Sequence, residues 1–357
     1  MTARNSQHRI LTLSMAAIAI LIASVAPAEV ERIEITSREI FADGMAFGET
    51  GAYEKIRGQL FYAVDPDHPA NAAVVDLELA PRGSDGMVRF RGDFLLLKPV
   101  DLEKGNGRLL YDVNNRGNLY MLRHINGGTR TNDPSTIEDA GNGFLMEQGY
   151  SLLWSAWTWD VAEGDHRLQI ELPIATDDGS PIRQRIAAEI VNSFGREPAG
   201  SMPLAWGGSR CYPALDPEDN SEAVLTVREA PGGERRRIPN DQWSFSRVED
   251  GIRSPDPTSI AVDGGLQPGR IYELIYDVRN PRVVGLGLAA VRDAMSFFHF
   301  ESVDGYGNPN PLEAVTPGGG RVSAGGDAYI FGVWLAGGVW GDRLWVGGVG
   351  GGWGRGG

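Results

Sequence analysis

The chain is nearly free of cysteine. One residue, Cys211, in 357 excludes an internal disulfide and any metal cluster built on thiolates. A nucleophilic role for Cys211 is disfavoured, because it sits in the loop-like stretch 207–213 with no histidine nearby in sequence. Positive charge is also in deficit. Lys and Arg number 33 against 47 Asp and Glu, and the formal net charge of −14 argues against a nucleic-acid partner. The run Arg235-Arg236-Arg237 is short and follows Pro231-Gly232-Gly233, which predicts a solvated hairpin edge. Histidine is scarce: His68, His124, His166 and His299 show no paired spacing, so no metal is assigned. Asp65-Pro66-Asp67-His68-Pro69 lacks the ligand spacing of a calcium loop and reads as a turn. No cofactor is implied, and no internal repeat is found.

Long apolar runs are absent too, with one exception. Ile10 to Val25 is apolar but for Thr12, Ser14 and Ser24, follows Arg4, His8 and Arg9, and precedes Ala26-Pro27-Ala28. A basic start, a short apolar run and a small-x-small site describe an export signal. The run falls short of the ~20 residues that a spanning helix needs. Residues 1–28 are therefore expected to be a cleaved signal peptide. The mature chain would start at Glu29 as a periplasmic or secreted protein, with no stable membrane span after cleavage.

What is present is strand-like apolar sequence, and a hydrophobic content of 42% is enough for a core. Val75-Asp76-Leu77-Glu78-Leu79 alternates as a half-exposed strand does, and Asp85-Gly86 marks a hairpin turn. Phe94 to Leu97, Arg108 to Val113 and Tyr150 to Trp154 read as buried strands, and Gly143 to Gln148 as a short helix between Asn142 and Gly149. Residues 160–270, rich in Pro, Gly and Asp, read as an inserted, mostly β subdomain. Ile271 to Val278 predicts a further strand. Val284, Leu288, Val291, Met295 and Phe298 then recur at helical spacing, which predicts a buried helix face with Asp293 and His299 turned to water.

Ala328 to Val333 is one more buried strand, and here the character of the chain breaks. Of the 27 residues from Phe331 onward, 12 are Gly and 4 are Trp, far above the ~7% of glycine in ordinary chains. Strand, loop, helix, strand, helix, strand is the central order of an α/β hydrolase. In that fold a sharp turn, Gly-x-Ser-x-Gly, lifts the catalytic serine above the sheet. The strands ending at Val113, Trp154 and Val333 would be its adjacent parallel strands. A backbone N–H from the loop after Val113 would stabilise the oxyanion, which makes Asn115, Arg116 and Gly117 oxyanion-hole candidates. On spacing alone, Asn114 to Asn118 reads as an ordinary strand-end turn rather than an oxyanion loop.

Four strings carry a family likeness: Leu110 to Asn118; Gly143-Phe144-Leu145-Met146 with Gln148-Gly149-Tyr150; Gly269 to Tyr276; and Pro281 to Asp293. Over residues 30–333 the chain resembles a bacterial group of α/β hydrolase domain proteins. The resemblance implies an α/β fold with an incomplete parallel sheet and an inserted β subdomain. The domains would be 29–159, 160–270 and 271–333, followed by an aberrant tail at 334–357. It also implies a serine hydrolase acting on a small-molecule ester or related acyl bond. Members of the group continue past the equivalent of Val333 with Ser-Gln-Ser-Gly-Arg. This chain has Trp334 at the nucleophile position and no histidine after His299. No catalytic residue is therefore assigned, and the chain is expected to be inactive as written. Gly, Trp, Arg and Val all have G-rich codons, so the tail is expected to be a frame-shifted end.

Two other readings are carried. Trp154, Trp157 and Trp159 could form an aromatic platform for a carbohydrate or cell-envelope partner. Gly285-Leu286-Gly287-Leu288-Ala289-Ala290 fits a dinucleotide fingerprint, but Arg279-Asn280-Pro281-Arg282 separates it from the strand before it.

Overall fold

The computed structural model describes residues 30–193, 195–205, 209–315, 321–323, 327–332 and 347–348. The expected signal peptide, the nucleophile position 334 and most of the expected tail lie outside the described residues.

The chain opens with β1 (Val30–Ile40), β2 (Tyr53–Val64), β3 (Val88–Pro99) and β4 (Arg108–Val113). Three short helices follow, α1 (Met121–Asn126), α2 (Ile137–Ala140) and α3 (Phe144–Glu147), then β5 (Ser151–Ser155). The middle of the chain holds β6 (Ile170–Glu171), β7 (Thr176–Asp177), β8 (Ser180–Pro181), β9 (Arg183–Val191), β10 (Met202–Pro203) and β11 (Val224–Arg228). Next come β12 (Arg236–Ile238), β13 (Trp243–Glu249), β14 (Ile252–Val262) and β15 (Ile271–Arg279). After α4 (Leu286–Phe300) lie β16 (Glu313–Val315), β17 (Arg321–Ser323), β18 (Asp327–Gly332) and β19 (Gly347–Gly348).

The first sheet runs β1-β2-β3-β5-β4-β18-β19, with β6 added on β3. β5, β4 and β18 are neighbours and parallel; every other pairing in the sheet is antiparallel. The second body carries the sheets β12-β11-β15-β9 and β10-β14-β13, both wholly antiparallel. These facts correct the expected fold class. The chain is mostly β, with antiparallel and mixed sheets, and is not an α/β hydrolase with an incomplete parallel sheet. The physical reason lies in the connections. A parallel pair needs a crossover of a dozen residues or more, usually helical. Here three of the four described α-helices have six, four and four residues. The second body is joined by tight turns instead. Asp178-Gly179 and Asp250-Gly251 both take positive φ, the geometry of a two-residue hairpin loop.

Two local expectations also change. Residues 75–79 do not form a strand: Asp76 is left-handed and Leu77–Leu79 is a 3-10 turn. The long helix is rotated from the face its apolar spacing suggests. Leu286, Gly287, Ala289, Ala290, Asp293, Ala294, Phe297 and Phe298 are buried, while Val284 and Leu288 are 53% and 66% exposed. Small residues let the helix approach closely. A Cβ on Gly287 would collide with the Trp157 carbonyl oxygen. Close packing therefore explains the glycines of the dinucleotide-like string. The strand before them, β15, lies in an antiparallel sheet, so the fingerprint's context is missing.

Two hydrophobic cores result. The larger packs the first sheet with residues of α1 to α4, and Trp154, Tyr111, Phe94 and Phe297 are among its most buried members. The smaller, around Leu225, Phe245, Ile260 and Leu274, fills the space between the two antiparallel sheets.

Candidate functional site

The carboxyl ends of β5, β4 and β18 come out at one edge. Asp112 lies opposite Phe331 and Val113 opposite Gly332. The loop of residues 114–118 caps this edge. Asn114 anchors it: its side-chain amide donates to the Ser155 carbonyl at 2.7 Å, and its Oδ1 accepts the Gly117 N–H at 2.8 Å. The Trp157 indole N–H donates to the Asn114 carbonyl at 2.7 Å. Gly117 has φ +72°, and a Cβ there would meet the Leu168 N and O at 2.7 Å, so the position accepts only glycine.

The three oxyanion-hole candidates differ. The Asn115 N–H donates to the Asn118 carbonyl at 3.3 Å, and the Gly117 N–H is held by Asn114. The Arg116 N–H has no acceptor among the described residues. Arg116 takes a left-handed φ of 49°, and its guanidinium pairs with Asp160 at 2.9 Å. Among the described residues, then, one amide at the strand edge has no acceptor, and a carbonyl or carboxylate oxygen is the group that would accept from it.

Under the loop lies a carboxylate that sequence patterns did not single out. Asp112 Oδ2 accepts from the Trp154 indole N–H at 2.6 Å and from the backbone N–H groups of Met121 and Tyr120 at 3.1 and 3.3 Å. Burial pushes its pKa up to about 7, against the pull of those three donors. It was legible in one respect: an acid within the apolar run Leu109 to Val113 must be satisfied internally. Asn132 is a second such residue. Its Oδ1 accepts the Leu119 N–H at 2.9 Å, and its amide donates to the Asn118 Oδ1 at 3.2 Å and the Asp165 carbonyl at 2.9 Å. It thus ties three loops together.

Among the described residues of this edge, no nucleophile and base are juxtaposed. Ser155 is fully buried, with its hydroxyl 2.7 Å from the Tyr111 hydroxyl. Cys211 lies elsewhere, and burial raises its thiol pKa. The three tryptophans do not share a face: Trp154 is core, Trp157 is bonded to Asn114, and Trp159 packs on Tyr212 at 4.4 Å beside Arg282. Among the described residues no group of His, Cys, Asp and Glu gathers to hold a metal, and no helix is long and apolar enough to cross a membrane. Arg236 and Arg237 lie in the edge strand β12, and Arg235 pairs with Glu273. A groove of about 630 Å³, lined in part by Arg38, Glu54, Lys98 and Leu102, lies at the opposite end of the sheet. Lys98 follows the β3 residue paired with Leu152 at the start of β5, whereas the candidate loop follows the end of β4.

Compared with protein-family models, with curated proteins and with solved structures, the chain finds no match in any of the three.

Proposed function

We propose that this polypeptide is an exported relative of bacterial ester hydrolases that holds an acyl compound without cleaving it. The observation that carries this is the Arg116 amide, which has no acceptor among the described residues and follows the strand paired with the one whose sequence leads through Gly332 to Trp334. An ester or carboxylate oxygen is the ligand chemistry that such an amide takes. Turnover needs an attacking alkoxide and a base to take its proton, and an indole supplies neither. The ligand is a small molecule; nucleic acid is disfavoured by the net charge of −14. The first 28 residues support export, with Glu29 as the mature N-terminus.

Purified protein is expected to release no p-nitrophenol from acyl esters above a mock preparation, and to take no label from a fluorophosphonate probe. Either signal would end the inactive assignment. Titration with a short-chain carboxylate, followed by amide NMR, is expected to move the Arg116 resonance. A titration that leaves it fixed removes the binding claim.

A further inference from the structure

The second body ends in an open strand. β9 runs nine residues along β15 in unbroken register, and no strand pairs with its other side among the described residues. Among the described residues only the Val191 carbonyl of this side is taken, by the Ser193 N–H at 3.0 Å, and the rest of the row is a template for another strand. Such edges are ordinarily guarded by proline, by a bulge or by an inward charge. β9 has none of these. Its inward residues Ile186, Ala188 and Ile190 belong to or pack against the smaller core. Its outward row reads Arg183, Arg185, Ala187, Glu189, Val191.

We propose that β9 is a self-association edge. A second copy of this chain pairs with it antiparallel, about a two-fold axis through Ala187, and joins the two four-stranded sheets into one of eight strands. An axis normal to the sheet keeps the outward rows on one face, so outward residues oppose outward residues. With Ala187 facing its own copy, Arg185 falls opposite Glu189 and Glu189 opposite Arg185, and opposite charges in directly opposed positions stabilise a strand pair. Within each chain Arg185 also meets Asp277 at 3.1 Å, and Glu189 meets Arg228 at 2.6 Å. The contact thus extends a row of alternating sign across the axis. The small side chain at the axis leaves room for the backbones to meet. The opposite edge of the same sheet, β12, has three residues, of which Arg236 and Arg237 are exposed. Its own copy would bring like charges together, so it does not serve.

Sedimentation equilibrium on the full-length mature protein is expected to show a dimer at micromolar concentration. R185E and E189R each place like charges opposite one another twice, and each should raise the dissociation constant about tenfold or more. The double variant R185E/E189R exchanges the two signs and should restore the wild-type value. A187R sets two cations at the axis on an exposed position with no internal partner to lose, and should dissociate the dimer while circular dichroism stays unchanged. It decides the matter if either charge reversal fails to fold. A monomer throughout, a dimer indifferent to A187R, or folded single variants that the double does not rescue would each overturn the proposal.

Discussion

Asp112 gathers three donors beneath the strand edge, from Trp154, Tyr120 and Met121. Its pKa in the folded chain, about 7, lies above the ordinary carboxyl value of 3.8. Between those two values the folded state binds more protons than the unfolded one, so this group makes stability fall as pH rises from about 4 to about 7. The difference corresponds to at most ~4 kcal/mol. D112N keeps an acceptor for the Trp154 indole and removes the charge. Urea denaturation at pH 4.5 and 7.5 should show a wild-type loss across the interval that D112N lacks; equal slopes would show that Asp112 is not the titrating group. G117A places a methyl against the Leu168 backbone at a positive φ and should cost about 2–3 kcal/mol in the same assay. The glycine was visible in sequence as part of Asn114 to Asn118, but its neighbour Leu168 was not, because the two meet across 51 positions of chain through the Leu168 N–H to Gly117 carbonyl bond.

Among the elements, α4 departs from the phase that its apolar spacing predicts. Apolar spacing picks out Val284, Leu288, Val291, Met295 and Phe298, of which only Phe298 is fully buried. The structure turns Gly287, Ala289, Ala290 and Ala294 inward instead. Close approach of a helix backbone to a sheet gains more contacts than burying one large side chain at greater distance. Hydrophobic periodicity is blind to this, since glycine and alanine count for little in it. L288A, at a largely exposed site, should change stability by no more than about 0.5 kcal/mol, while F297A should cost about 3–5 kcal/mol. Thermal melts of the two variants test the phase directly, and a reversed order would restore the stripe. Short strands fared better. Arg108 to Val113 and the run ending at Trp154 are where the apolar sequence put them, because a continuous apolar stretch has no solvent face to choose between.

At the scale of the molecule, charge makes a prediction of its own. With a net charge of −14, fluorescence anisotropy should show no binding to duplex DNA at physiological salt; measurable affinity there would contradict the charge argument. Composition and pattern by themselves determined that charge, the absence of a disulfide, the apolar strands of the first sheet, and the indole at position 334. Each is a property of single residues or of neighbours along the chain. Only the tertiary structure decided that antiparallel pairing dominates and that α4 packs by its small face. It alone showed that β15 belongs to the second body and that, among the described residues, one of three candidate amides has no acceptor. Those outcomes depend on hydrogen bonds and contacts between residues far apart in sequence, and local patterns leave such pairings open.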